Sequence, residues 1–300
     1  MKEALLNRFY FFVGLIFLGL ARVKFALKGY NQSSFSTLKM QNIVDYDFRV
    51  VDKWIKQLQL YTDGQDSDLI KGKSVLELGP GGDLGIGLYL LSKSVKEYTA
   101  IDTYNLIENT PSQFYELLFS KLADRSKSDI EFLKSELNKT LTGGSDKLNY
   151  IVSKDFDIIK AVAPKKINLI FSQAAFEHFD DINETIKGMS TVADQGAYFV
   201  AVVDLQTHSR WIRKKDPNNI YRYPNWLYGL FSFRGSPNRI RPYQYIDALQ
   251  KNGWKNIKVY SDQSLSEELF NSTTKYLNKQ FVHDRNEMNY LSIWLCATKA

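Results

Sequence analysis

Residues 74–105, SVLELGPGGDLGIGLYLLSKSVKEYTAIDTYN, read as strand, glycine loop, helix and strand. The run Ser74 to Leu78 is apolar apart from Glu77 near its carboxyl end, and Gly79, Gly81, Gly82, Gly85 and Gly87 follow at once. Glycine permits a sharp turn and lets a ligand lie against the main chain, while the next helix aims its amino end at whatever occupies the loop. A second strand, Tyr98 to Ile101, ends in Asp102. An acid about 20 residues past such a loop is placed to accept hydrogen bonds from ribose hydroxyls. The stretch predicts a nucleoside-bearing cofactor.

Dinucleotide readings compete for it. G-x-G-x-x-G needs glycine at Leu84, so that fingerprint fails. Gly81, Gly85 and Gly87 do give the G-x-x-x-G-x-G of short-chain NAD(P)-dependent dehydrogenases, and Tyr150 with Lys154 supplies Y-x-x-x-K. That tyrosine follows the loop by only about 70 residues, roughly half the usual separation, in a stretch (NYIVSKDF) that reads as strand rather than helix.

Glu77-Leu78-Gly79-Pro80-Gly81 fits E/D-x-G-x-G, and the whole stretch resembles class I S-adenosylmethionine (SAM) dependent methyltransferases. The resemblance implies an α/β fold: a Rossmann-like seven-stranded sheet whose last strand is antiparallel, with SAM as cofactor. It assigns Glu77 to the methionine end of SAM, Gly79 and Gly81 to the floor beneath it, and Asp102, with Thr103 beside it, to the ribose. Ser153-Lys154-Asp155-Phe156 stands where the family sets an acid against the adenine amino group and an apolar neighbour against its ring. Asp155 and Phe156 are the residues expected there, with a plain surface loop as the alternative.

Ile167 to Phe171 reads as the fourth strand, and Ser172-Gln173-Ala174-Ala175-Phe176-Glu177-His178-Phe179 resembles the family segment that passes the sulfonium and enters a helix with an E-H pair. Ser172 and Gln173 join the expected cofactor residues. The absence of N/D-P-P-Y/F here argues against amino methylation of adenine or cytosine. Ala174 removes the first acid of an E-x-x-E-H set, so no metal ligands are expected. His178 then reads as structural or substrate-contacting, and as a second catalytic candidate.

Gly196 to Val203 is the fifth strand and delivers Asp204-Leu205-Gln206-Thr207-His208 to the sheet edge where open α/β sheets bind substrates. An imidazole titrates near neutrality, which makes His208 the expected general base, oriented by Asp204. An exposed loop histidine is the competing reading. The following Ser209 to Tyr245 interleaves arginine with aromatics. Rings stack on sugar faces and guanidinium forks bind phosphate or carboxylate, so Arg210, Trp211, Arg222, Tyr223 and Arg239 are expected to bind the acceptor. A satellite core, a membrane surface or stacked RNA bases would use the same mix. Pro242 to Asn252 reads as a helix, with strands Trp254 to Tyr260 and Leu291 to Thr298 completing the sheet.

Upstream, Phe9 to Ala21 is an apolar run of about 13 residues between Arg8 and Arg22, short of the roughly 20 that a spanning helix needs. It reads as a membrane-surface helix, with a domain-capping helix and a true span as alternatives, and residues 8–28 as the membrane contact. Were it to span, Arg22, Lys24 and Lys28 would hold the domain in the cytoplasm, at the inner face of the membrane. Asn31 to Ser36 is a turn-like linker, so residues 1–36 form an N-terminal segment and 37–300 the main domain, with insertions at about 104–148 and 205–245. Asp45 to Leu60 is a helix whose Phe48, Val51, Trp54, Ile55 and Leu58 share one face; in the family such a helix covers the SAM site.

With 300 residues, 44% of them hydrophobic, the chain suffices for one large domain, and a single cysteine excludes an internal disulfide. The net charge of +6 suits an acidic partner, but it is scattered, so nucleic acid is not expected. The motifs look most like methyltransferases of bacterial polysaccharide clusters. Methylation of an oxygen on a sugar, nucleotide sugar or glycan or lipid-linked precursor, phosphorylated or acidic, is the expected reaction. A dehydrogenase, a non-catalytic SAM-binding protein and an RNA methyltransferase are the alternatives.

Overall fold

The computed structural model describes residues 2–29, 37–64, 68–125 and 128–300. The expected linker, Asn31 to Ser36, lies outside the described residues. One sheet carries β1 (Ser74–Leu78), β2 (Glu97–Asp102), β3 (Leu148–Val152), β4 (Ile167–Gln173), β5 (Ala193–Asp204), β6 (Trp254–Ser264) and β7 (Tyr290–Lys299), in the order β3-β2-β1-β4-β5-β7-β6. β1 to β5 pair in parallel, and β7 runs antiparallel to both β5 and β6. This is the expected α/β sheet with its last strand reversed. Every residue of β1 is buried, as a strand covered on both faces must be, which is why it reads as an apolar run rather than an alternation.

An N-terminal helix, α1 (Lys2–Lys28), precedes α2 (Thr37–Tyr61), α3 (Gly85–Ser92), α4 (Ser112–Arg125) and α5 (Ile130–Thr142). The last four cover one face of the sheet. α2 begins at Thr37 rather than Asp45; Phe48, Val51, Trp54 and Leu58, three and four apart, are fully buried, and Trp54 stacks on Phe171 of β4 at 4.7 Å. α4 and α5 lie between β2 and β3, in the stretch 104–148 expected as an insertion. Asp129 caps α5 by accepting from the Phe132 N–H, and Gly143, at φ 87°, ends it. α6 (Ile158–Val162), α7 (Ile182–Val192) and α9 (Pro242–Lys251) pack on the opposite face. α8 (Asn225–Phe231) lies in the second insertion and α10 (Glu267–Thr273) between β6 and β7. The Glu177-His178 pair sits on a single 3-10 turn, Phe176–His178, and not on the expected helix, which starts at Ile182.

The segment between β5 and α9, expected as an insertion, contributes to a third core. Ile220, Tyr221, Tyr223, Tyr228, Leu277, Phe281 and Met288 cluster there, with Phe11, Leu15 and Leu18 of α1 against them. The apolar run Phe9 to Ala21 is thus the middle of a 27-residue helix docked lengthwise. Asn219 donates to the Tyr10 carbonyl and Tyr223 to the Phe11 carbonyl, both at 2.9 Å. Arg22 donates to the carbonyls of Leu230 (2.6 Å) and Ser232 (2.9 Å), and Phe25 stacks on Phe233 at 4.4 Å. Closest approach is at Gly14, where an added Cβ would lie 2.0 Å from Asn219 Oδ1.

The opposite face of α1 is bare. Leu5, Phe9, Phe12, Ile16, Leu20, Val23 and Leu27 recur at three and four residues, and each is more than half exposed. Exposed Trp211, Trp226 and Leu230 add to the apolar surface of the insertion. By length and composition Glu3–Lys28 is long and apolar enough to cross a membrane, more than the short apolar run had implied.

Candidate functional site

Strand order reverses its direction of travel between β1 and β4, and such a switch point opens a crevice at the carboxyl ends of the strands. A cavity of about 920 Å³ lies there, within the ordinary range for a small-molecule site. Gly79 turns the chain into it at φ +74°, a left-handed conformation open to glycine, and an added Cβ would meet the Ala175 Cβ at 2.6 Å. The Gly79 backbone therefore passes under the cavity with Ala175 directly across from it.

Carboxylates dominate one wall. Glu77, at the end of β1, accepts from the Tyr98 hydroxyl at 2.5 Å through Oε2, while its buried Oε1 has no partner. Burial pushes its pKa up to about 8. Asp83 accepts from the Gly85 N–H at 2.8 Å and is raised to about 6 by burial. Asp47, delivered by α2, is raised well above the usual range by burial and by the adjacent Asp83, and its Oδ2 is a second buried oxygen without a partner. Three acids facing one cavity, Glu77 and Asp47 buried and each with a bare oxygen among the described residues and Asp83 half-buried, suit a ligand that brings positive charge and N–H donors.

Asp102 ends β2 on the same rim. Burial raises it, against backbone N–H groups led by that of Tyr104, at 3.1 Å from Oδ1. Thr103 and Gly81 line the cavity beside it, Asp155 and Phe156 another side, and Gln173 the floor from β4. Ser172 does not belong to this set. It is fully buried, and its hydroxyl donates to the Leu78 carbonyl at 2.9 Å, tying β4 to β1. Sequence reading missed Tyr46, Asp47 and Asp83. The signal available was the helix that covers the site in the resembled family, whose third turn carries Tyr46 and Asp47.

Beyond Gln173 stands His178. Its Nδ1 lies 2.6 Å from the Gly235 carbonyl oxygen. A carbonyl only accepts, so Nδ1 carries the hydrogen and Nε2 the lone pair. Burial, then His208, lowers its pKa to about 4, keeping it neutral. The segment at Gly235 is stitched to the Glu177 turn: Asn238 donates its N–H to the Glu177 carbonyl at 2.7 Å and its side chain to the Phe176 carbonyl at 2.8 Å.

His208 and Asp204 do not line the cavity but sit behind His178. The two imidazoles are 4.8 Å apart, centre to centre. His208 Nε2 is 3.6 Å from Asp204 Oδ2, beyond a hydrogen bond, and that oxygen is taken by Arg213 at 2.7 Å. Asp204 is held below the usual carboxylate range by His208 and Arg213, against the opposing effect of burial. Glu177, 3% exposed, is pushed up to about 8 by burial. Glu177 Oε2 and His208 Nε2 are both buried without a hydrogen-bond partner. The fold thus brings Glu177, His178 and His208 together, each offering one ligand atom within 4.8 Å of the others. The sequence-based expectation of no metal ligands weighed only position 174 and not the end of β5.

The arginine-aromatic segment behaves differently from expectation. Arg222 is buried against Asp216, with Nε to Oδ2 at 2.7 Å and Nη2 to Oδ1 at 3.0 Å. Tyr223 is fully buried, and Arg239 donates to the Ile220 and Tyr223 carbonyls beneath the Tyr228 ring. Arg210 is exposed, and Trp211, 79% exposed, faces Phe17 of α1. None of these five lines the cavity; Arg234 is the arginine of that segment that does. The physical reason is local: the N–H donors of Arg239 satisfy carbonyls that an irregular chain leaves bare, and those of Arg222 are taken by the buried Asp216 carboxylate and the Asn7 side chain. Tyr150 lies on β3 with its hydroxyl donating to the Tyr104 carbonyl at 2.8 Å, which removes the helix-borne Y-x-x-x-K that a dehydrogenase needs.

The profile of the methyltransferase domain family matches residues 46–259. No curated protein sequence matches the chain. Among solved structures it is similar to a SAM-dependent methyltransferase from Mesorhizobium loti, at 11% identity over 77% of this chain and 92% of that one, with a TM-score of 0.42. It is also similar to phosphoethanolamine N-methyltransferase 2 of Haemonchus contortus, solved with phosphomonomethylethanolamine and S-adenosylhomocysteine. There the identity is 12% over 85% of this chain and 52% of that one, with a TM-score of 0.44.

Proposed function

The chain belongs to the methyltransferase domain family, and from that premise we propose that the crevice between β1 and β4 transfers a methyl group from SAM to a hydroxyl of a glycan or lipid-linked acceptor at a membrane surface. The observation that carries the donor side is the convergence of Glu77, Gly79 and Asp102 on one cavity. When bound, SAM supplies an electrophilic methyl on a sulfonium. Asp102 and Thr103 would hold its ribose hydroxyls, Asp155 and Phe156 its adenine, and the bare oxygens of Glu77 and Asp47 its cationic amino acid end, with Asp83 adding to the negative field.

On the acceptor side, His178 offers its Nε2 lone pair to a hydroxyl hydrogen, which orients the oxygen for in-line attack. His208 and Asp204, expected as base and orienting acid, act from behind by setting the field at His178. Arg234 at the rim suits an anionic group on the acceptor. Glycan chemistry is supported by the resemblance of the L-G-P-G-G-D and F-E-H-F-D-D segments to polysaccharide methyltransferases.

Donor binding is expected to depend on pH in a defined direction. A cationic ligand favours ionised carboxylates, so affinity rises as pH climbs through about 6 (Asp83) and about 8 (Glu77), and binding at pH 7 releases protons. In the free protein the raised Glu77 pKa has the opposite consequence. Stability falls as pH rises from the ordinary carboxylate range through 8, because folding disfavours the charge. Glu77→Gln therefore melts higher than the parent above pH 8 yet binds SAM at least about tenfold more weakly. Calorimetry in two buffers of different ionisation enthalpy measures the released protons. No SAM binding by the parent protein, or unaltered binding by Asp102→Ala, defeats the donor reading.

The membrane contact rests on the bare stripe of α1. Its inner face is bonded to the domain from Asn7 to Phe25, so the helix would lie in the plane of a bilayer, stripe inward, with Arg8, Lys24 and Lys28 near acidic headgroups on the cytoplasmic side. The intact protein is expected to float with vesicles containing phosphatidylserine, and the variant Phe12→Glu/Ile16→Glu/Leu20→Glu to remain at the bottom of the gradient. A parent protein that stays at the bottom overturns the contact.

A further inference from the structure

We propose that Glu177, His178 and His208 form a binding site for a divalent transition-metal cation beside the methyl-transfer cavity. The three residues come from two places in the chain, the turn after β4 and the end of β5, yet their ligand atoms lie within 4.8 Å of one another. Two of those groups are left bare in a buried position: among the described residues Glu177 Oε2 and His208 Nε2 have no hydrogen-bond partner. A buried polar atom without a partner is rare and calls for an occupant.

His178 is already set as a ligand. Its Nδ1–H is given to the Gly235 carbonyl, the arrangement by which metal-bound histidines fix their tautomer and aim the other nitrogen. Zinc–nitrogen and zinc–oxygen bonds of about 2.0–2.2 Å put ligand atoms about 3.4 Å apart in a tetrahedron. Closure from 4.8 Å needs side-chain rotation of roughly an ångström, and His208, with 32% of its side chain exposed, has room for it. The nearby positive charge of Arg213 is matched by Asp204 at 2.7 Å.

One carboxylate and two imidazoles suit zinc, manganese, iron(II) or cobalt rather than magnesium or calcium, and three ligands leave positions open toward the cavity that His178 lines. A cation here would occupy the His178 Nε2 lone pair and, in place of the free imidazole, would polarise an acceptor hydroxyl so that its proton leaves to water as the oxygen takes the methyl group. That role rests on the methyl-transfer reading; the binding of the cation does not.

The test titrates the full-length, chelator-treated protein with Co²⁺ and with Zn²⁺, following the visible absorption of bound cobalt and the heat of binding. The chain has three histidines, so exposed His283 provides the control. The parent protein and His283→Asn are expected to bind one cation, and Glu177→Gln and His208→Asn to lose at least about a hundred-fold in affinity. Should either variant fail to fold by circular dichroism, proton NMR of the parent decides. Cobalt then broadens the ring signals of His178 and His208 and spares those of His283. No cation bound by the parent, equal binding by all variants, or broadening at His283 alone overturns the site. SAM calorimetry on the same samples is read separately, so a failed donor cavity and a failed cation site give different results.

Discussion

Gly79→Val is expected to abolish SAM binding in a protein that still folds. A β-branched residue at φ +74° is strained by about 1–3 kcal/mol. Its Cβ would also lie 2.6 Å from the Ala175 Cβ, so the loop and the turn before Glu177 must separate. Both displacements open the part of the cavity where SAM is proposed to meet the backbone. A loss of at least a hundred-fold in affinity, equivalent to about 2.7 kcal/mol, should appear by calorimetry, with a melting temperature lowered by only a few degrees. Gly144→Ala is the control, since a Cβ there meets nothing within 4 Å. Retention of near-parental affinity by Gly79→Val would mean that the ligand does not rest on this loop.

Arg222→Met is expected to have the larger effect on stability and none on the cavity. It strands Asp216, which is 0% exposed and held by Arg222 through both carboxylate oxygens. Breaking a buried pair from one side costs about 3–5 kcal/mol. The Asn7 side chain of α1 also loses its donor at 2.7 Å, so the helix should loosen from the domain along with it. Denaturant unfolding measures the loss, and protease cleavage within α1 should quicken in parallel. Adding Asp216→Leu removes the stranded charge and should recover part of the stability. If Arg222→Met instead left stability intact and weakened acceptor binding, the arginine would be a ligand-binding residue, as its sequence neighbourhood had suggested.

The two positions show how differently the chain exposes its design. Gly79 was legible because a tight turn under a ligand admits few residue types, and the acids that end β1 and β2 stand at fixed distances from it along a regular strand-helix-strand unit. Glu77, Gly81, Asp102, Thr103, Asp155, Phe156 and Gln173 all come to the one cavity for the same reason. Ser172 failed only by strand alternation, which turns adjacent residues to opposite faces. The arginine-aromatic segment carried no such periodicity. Composition alone does not distinguish a guanidinium that binds a substrate from one that ties together the carbonyls of an irregular loop.

The sequence by itself determined the strands, the glycine turn and the acids at strand ends, because these follow from local patterns, while the reversed last strand and the SAM reading of the crevice were implied by the resemblance to class I methyltransferases. Only the tertiary structure decided what joins that crevice from afar. It added Asp47 from α2, set His208 and Glu177 behind His178, buried Arg222 and Arg239 in a third core, and laid α1 along that core with its apolar stripe outward. Those placements depend on contacts between residues more than two hundred positions apart, as Asn7 and Arg222 are. Periodicity marks the apolar face of an element, as in α2, but does not say which distant element that face will meet.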